Sequence, residues 1–119
     1  MPEGALHCDE ALAAVFSLLG KRWTGLVIGT LLARPARFGE LASAIPGIND
    51  SMLSARLTEL RAAGIVDRDV VPGPPISTLY RLTPEGRALR APLTALARWA
   101  ETNMSGPVPS SRASAERSA

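Results

Sequence analysis

The stretch from Gly20 to Gly64, GKRWTGLVIGTLLARPARFGELASAIPGINDSMLSARLTELRAAG, most constrains the fold, because apolar periodicity and helix breakers alternate through it at short, regular intervals. From Trp23 to Ala33 apolar residues (Trp23, Leu26, Val27, Ile28, Leu31, Leu32) fall on almost every side, which predicts a helix surrounded by protein. Arg34-Pro35 breaks that pattern, and Phe38, Leu41, Ala42 and Ile45 then recur at i, i+3, i+4 and i+7 through a short helix that Pro46-Gly47 stops. Asn49 is a good N-cap for the next helix, and Ile48 before it can pack on Leu53 as a hydrophobic staple. Leu53, Leu57 and Leu60 form that helix's buried stripe, and Gly64 supplies its stop. Two short helices joined by a tight turn, the second with a polar outer face, outline a helix-turn-helix.

The flanking sequence extends this reading. Ile65 to Val71 and Ser77 to Leu82 are rich in β-branched residues, Leu and Tyr around the turn VPGPPIS, which is too proline-rich for a two-residue hairpin and should project as a wing. Thr83-Pro84 is a standard helix opening. Leu89, Leu93, Leu96, Ala97 and Trp99 carry a stripe onward, with a kink expected at Pro92. At the other end, Cys8, Leu12, Val15, Phe16 and Leu19 give a first helix over Cys8 to Leu19, with Asp9 and Glu10 in its first turn and Gly20 at its end. The expected fold is mainly α with a small β-hairpin, a winged helix-turn-helix. Residues 1–103 form that domain with its dimerisation helices, and 104–119, rich in Ser, Pro, Ala and Arg without apolar periodicity, form a disordered C-terminal tail.

A chain of 119 residues fits one domain, which at this size buries only roughly 60 to 70% of its unfolded surface. Apolar residues make up 46% and aromatics only 4%, so the core rests on Leu, Ala, Val and Ile. The first helix and the Leu89 to Trp99 helix carry more apolar surface than a small domain leaves exposed, which favours a dimer over packing within one subunit. A lone cysteine excludes an intrachain disulfide and a multi-Cys zinc site, and fits a reducing compartment. No apolar run reaches the roughly 18 residues a membrane span needs and no signal peptide opens the chain, so the expected location is the cytoplasm and no membrane is involved.

A net charge of +2 does not by itself identify a nucleic-acid protein, but its distribution is informative. Between Lys21 and Arg61 the basic side chains are Lys21, Arg22, Arg34, Arg37, Arg56 and Arg61, against Glu40, Asp50 and Glu59. In a helix-turn-helix the second helix lies in the major groove with its N-terminal residues at base edges. On that geometry Asn49, Asp50, Ser51, Ser54, Ala55 and Thr58 face the bases of double-stranded DNA, and Arg37, Arg56 and Arg61 anchor phosphates. Asn49 suits adenine; Asp50 either accepts from cytosine N4 or simply complements the helix dipole.

The segments GKRWTGLVIGTLL, ARFGELASAIPGIND, LSARLTELRAAGIVDRDV, LYRLTPEGRAL and LTALARW, in order from Cys8 to about Trp99, resemble the HxlR family of bacterial winged-helix regulators. The resemblance implies a homodimer on an inverted repeat, with the first and last helices forming much of the subunit interface. Relatives commonly have an Arg after the paired prolines and a Glu before the Tyr, where this chain has Ser77 and Leu79. Ser77 thus stands at a wing position that faces DNA in relatives, and binding should rest more on the reading helix and Arg68. Cys8 matches an N-terminal cysteine that in some relatives senses oxidants or electrophiles. A helix N-terminus favours a thiolate there, while Asp9, Glu10 and burial along the Leu12 and Phe16 stripe oppose it, so sensor and inert buried thiol both stand as readings. With no second cysteine, a redox response needs a Cys8 to Cys8 bridge between subunits, a small-thiol adduct or alkylation.

His7, Cys8, Asp9 and Glu10 are consecutive, so on a helix they point in different directions and cannot converge on one ion. No Ser/His/Asp arrangement, phosphate-binding glycine loop or carboxylate cluster appears, so no enzyme activity, metal or cofactor is expected. The expected function is a homodimeric transcriptional regulator, a repressor on an inverted-repeat operator, answering a small-molecule or oxidant signal. The reading from another class is a winged-helix protein-interaction module that does not read DNA.

Overall fold

The computed structural model describes residues 4–104. In chain order these residues form α1 (Glu10–Leu19), α2 (Thr24–Leu31), β1 (Ala36–Arg37), α3 (Phe38–Ala44), α4 (Asp50–Ala62), β2 (Val66–Val71), β3 (Ser77–Leu82), α5 (Pro84–Arg87) and α6 (Arg90–Asn103). The fold class is the expected one, a winged helix-turn-helix. The proposed tail lies outside the described residues except for Met104.

The core gathers one face from each central element. Val27, Ile28 and Leu31 of α2, Leu41 of α3 with Ile45 just beyond it, Leu53, Leu57 and Leu60 of α4, and Val66, Tyr80 and Leu82 of the sheet are all buried. Each fully buried aliphatic side chain contributes about 1.5 to 3 kcal/mol of transfer free energy, and the α4 stripe places three of them on a single helix. The central helix is not buried all round as expected: Leu26 of α2 is 44% exposed.

The sheet has three strands in the order β1-β3-β2, both pairs antiparallel. The hairpin matches its expected position, with Val66 opposite Leu82 and Val71 opposite Ser77. The two-residue β1 was not legible, being too short for any periodicity. Its cause is Pro35, which cannot continue α2 and delivers the chain extended, so that Ala36 and Arg37 pair with Tyr80 and Leu79.

Two features of the helices differ from expectation for identifiable reasons. Asp9 lies outside α1 as its N-cap, its side chain accepting from the Leu12 N–H at 3.0 Å, so Cys8 precedes the helix and is exposed. The thiol is therefore not buried along the Leu12 and Phe16 stripe within the protomer. The expected kink at Pro92 is instead a break at Ala88 and Leu89 between α5 and α6. The ring of Pro92 clashes with the carbonyl four residues earlier, that of Ala88, and once α6 restarts at Arg90 the missing N–H falls in its first turn, where no intrahelical partner exists.

Thr83 ties the wing to α5 and to the end of α4. Its hydroxyl accepts from the Gly86 N–H at 3.1 Å as the α5 cap and donates to the Gly64 carbonyl at 2.6 Å, just beyond α4. The outer helices contrast with this interior. Neither α1 nor α6 has a buried residue, and Leu12, Phe16, Leu96 and Trp99 are 53%, 52%, 49% and 59% exposed.

Candidate nucleic-acid interface

The α3-turn-α4 unit is fixed at its corner by backbone chemistry. Gly47 adopts φ +84, open to glycine at no steric cost, and the Trp23 ring stands against it: a Cβ there would meet a ring carbon at 3.3 Å. Trp23 itself, at φ 80 ahead of α2, is the one non-glycine residue with positive φ among those described. Asn49 then caps α4, its side-chain oxygen accepting from the Met52 N–H at 2.7 Å. That bond engages the acceptor a bidentate adenine contact would need, leaving the Asn49 amide NH2 as its free donor.

Beyond the cap, Asp50, Ser51, Ser54, Thr58 and Arg61 are exposed, and Ala55 is half-buried beside them. With Leu53, Leu57 and Leu60 turned to the core, the short polar side chains line the opposite side of the helix, where a duplex can approach closely. Arg56 does not join them. Its side chain is only 15% exposed, Nη2 donates to Glu59 Oε1 at 3.1 Å, and Nε is buried without a hydrogen-bond partner. Glu59 also accepts from Lys21 Nζ at 3.2 Å, so its charge lies between two cations.

Arg37 is exposed at the N-cap of α3, and its backbone N–H donates to Glu40 Oε1 at 2.9 Å. Glu40 also accepts from Arg34 Nη2 at 2.6 Å. The Arg34 hydrogen bond first, and the Arg37 N–H second, hold the Glu40 carboxyl down at about 2. Arg34 thus absorbs the acid next to Arg37, whose guanidinium has no ion pair among the described residues.

The wing shows the same separation of paired and free charges. Arg68 of β2 stands opposite Tyr80 and is exposed, with Asp67 and Asp69 on either side. Those two point to the other face of the hairpin, where Arg81 of β3 pairs with both. Arg68 is thereby left as the unneutralised cation of the hairpin among the described residues. Ser77 is half-buried at the start of β3, and the tip exposes Val70 and Ile76 at 65% and 72%. The structure thus brings Arg37, Asp50, Ser51, Ser54, Thr58, Arg61 and Arg68 to the surface and turns Arg56 inward. The neutralising partners Arg34, Lys21 and Arg81 were missed as such, because pairing across the sheet and between helices depends on register that residue spacing does not reveal.

Cys8 lies on a separate element, its thiol 3.9 Å from the Asp9 carbonyl. Among the described residues no three His, Cys, Asp or Glu side chains are grouped to hold a metal ion.

Residues 18–107 match the family of HxlR-like helix-turn-helix proteins. The HTH-type transcriptional regulator YodB of Bacillus subtilis (strain 168) is 44% identical over 98 residues, covering 82% of this chain and 87% of that protein. The solved structure of the reduced form of YodB superposes with a TM-score of 0.75 at 40% identity, covering 85% of this chain and all of that one. The redox regulator HypR in its reduced form superposes with a TM-score of 0.76 at 30% identity, covering 81% of this chain and 95% of that one.

Proposed function

The chain belongs to the HxlR-like helix-turn-helix family, whose members are transcriptional regulators and not enzymes, and on that premise we propose that it is a homodimeric repressor reading an inverted-repeat operator in the cytoplasm. The observation that carries the DNA-reading part is a selective neutralisation of charge: Glu40, Glu59, Asp67 and Asp69 are paired internally and only Asp50, in the first turn of α4, is left as an exposed acid on that face, while Arg37, Arg61 and Arg68 remain free on the surface that surrounds Ser51, Ser54 and Thr58. Phosphates are bound by the free cations, and base edges are read by the short polar side chains and the Asn49 amide.

The exposed apolar faces of α1 and α6 support the dimer, since Leu12, Phe16, Leu96 and Trp99 are each about half exposed or more, and exposed apolar stripes of this kind mark interaction surfaces. A two-fold dimer presents two α4 helices, so its operator carries two half-sites. Cys8 is the signal input in this reading. Its exposure and its position directly before the interface helix support that role, as does the similarity to a redox regulator. An oxidant removes two electrons and two protons from two Cys8 thiols to form one bridge between subunits, which resets the spacing of the reading helices.

The test is binding of the reduced protein to DNA from its own promoter, titrated with salt and excess nonspecific competitor, then repeated after oxidation. Competitor-resistant binding that weakens on oxidation supports the whole reading. Binding indifferent to oxidation removes Cys8 as the input, and weak, competitor-sensitive binding removes the operator.

A further inference from the structure

The hairpin changes character along its length. At its base Val66 and Leu82 are a buried cross-strand pair, and Tyr80 is buried opposite Arg68. The strands then leave the core, β2 rising about 17 Å from Val66 to Val71. From Val70 to Leu79 the chain reads VVPGPPISTL, without a single charged side chain. Val70 and Ile76 are 65% and 72% exposed, and Pro72, Pro74 and Pro75 between them are exposed as well. A tip that only had to stay in water would carry polar turn residues; large apolar side chains grouped at a surface mark a contact.

The surroundings of the tip identify what it meets. Val70 lies two residues along β2 from Arg68, so the two side chains share a face of the hairpin, and Arg68 has no ion pair among the described residues. Asp67 and Asp69 project from the other face, where Arg81 takes their charge. One face of the wing thus has an apolar end, a free cation below it and no acid. That order suits a polyanion whose charge lies on a rim and whose walls are hydrocarbon. The minor groove of DNA is such a surface: phosphates border it, deoxyribose C–H groups wall it, and at about 6 Å wide it admits the end of a hairpin but not a helix.

We propose that the wing tip reads the minor groove beside the α4 site by exclusion, with Val70 and Ile76 against its walls and floor and Arg68 on a phosphate at its edge. An apolar side chain offers nothing to the guanine N2 amino group, the donor by which G·C differs from A·T in this groove. Leaving that donor without a partner costs free energy, so the tip favours A·T pairs where it sits. The inference rests on the DNA-reading proposal and adds to it a second specificity element, one made without a hydrogen bond. An isoleucine displaces no counterion, so this preference is independent of salt.

The test uses the full-length protein and DNA from its own promoter. Hydroxyl-radical footprinting, which reports protection of deoxyribose, locates the flank under each wing. One flank is then remade with A·T, with G·C, and with inosine·cytosine, which keeps the major-groove pattern of G·C but lacks the N2 amino group. Fluorescence anisotropy should show the A·T and inosine·cytosine flanks bound alike and the G·C flank about tenfold more weakly. Serine at both tip positions, Val70→Ser with Ile76→Ser, changes exposed side chains and keeps the fold. It should remove the flank protection and the preference while leaving the slope of log affinity against log salt unchanged. No flank protection in the parent protein, inosine·cytosine bound as weakly as G·C, or a preference that survives both serines would overturn the assignment. So would serines that alter only the sedimentation profile, which would place protein on the tip instead. Operator binding stands in each of those cases; weak, competitor-sensitive binding whatever the flank would remove the operator and the inference together.

Discussion

Lys21 Nζ stands 3.2 Å from Glu59 Oε2, joining the loop that comes after α1 to the flank of the reading helix α4. Glu59 is shared, because its other oxygen takes Arg56 Nη2 at 3.1 Å. The two cations are not equivalent. The Lys21 side chain is 50% exposed, so Lys21→Gln should cost less than about 1 kcal/mol. Glu59→Gln leaves the largely buried Arg56 charge without a counter-charge and should cost about 1 to 3 kcal/mol. Equilibrium urea unfolding of both variants checks the order.

On the proposed DNA face, phosphate and base contacts separate by salt dependence. Arg61→Gln and Arg68→Gln should weaken operator and competitor DNA alike, each lowering the slope of log affinity against log salt by about one. Ser54→Ala and Thr58→Ala should leave that slope intact and reduce operator preference by about 1 to 3 kcal/mol per lost base contact. Fluorescence anisotropy over a salt series distinguishes the two behaviours.

Glu40 gives a pH signature. Its carboxyl is held at about 2 against an ordinary 4.5, by the Arg34 hydrogen bond and then the Arg37 N–H, so the folded protein binds fewer protons than the unfolded chain between those values. The contribution of this contact is complete above about 4.5 and is lost as pH falls toward about 2. Thermal melts across that acid window should show a shallower pH dependence for Glu40→Gln than for the parent protein, with the difference vanishing at the acid end.

Two glycines should answer alanine in opposite directions. A Cβ at Gly86 would lie 2.3 Å from the Ile65 carbonyl oxygen, a backbone atom that cannot swing away, so Gly86→Ala should cost about 3 kcal/mol or more. Gly29, inside α2, has nothing within 4 Å of that position, and Gly29→Ala should stabilise the helix by up to about 1 kcal/mol. Denaturant midpoints measure both.

The outer helices bear on assembly. Phe16→Glu and Trp99→Glu change residues that are 52% and 59% exposed and therefore should leave the protomer folded. In the proposed dimer each buries a charge at the interface and should shift the sedimentation profile to monomer. A dimer that survives both substitutions would place the interface elsewhere.

The parts of this molecule that were legible are those where local pattern and tertiary environment agree. Leu53, Leu57 and Leu60 sit at helical spacing and are all buried; Asn49 caps as its chemistry demands; the hairpin around the Pro/Gly turn forms in its expected place. What escaped depends on partners distant in sequence. β1 exists only because β3 receives it; the i, i+3 pair of Arg56 with Glu59 lies within α4, but that the Arg56 side chain is largely buried and that Lys21 takes the other Glu59 oxygen depend on how the loop after α1 packs on α4. Pro92 was recognised as disruptive, yet the disruption fell four residues earlier, at the carbonyl its ring displaces.

α1 and α6 contribute no buried residue to the protomer they belong to. In the proposed dimer a second copy supplies the missing cover, so assembly depends on protomer concentration and the amount of protein in the cell enters the proposed switch directly. Far below the dissociation constant, halving the protomer concentration leaves about a quarter of the dimer, so occupancy of a paired operator falls faster than expression does. In the proposed dimer the bare flanks of two helices would thus make gene dosage itself a regulatory variable.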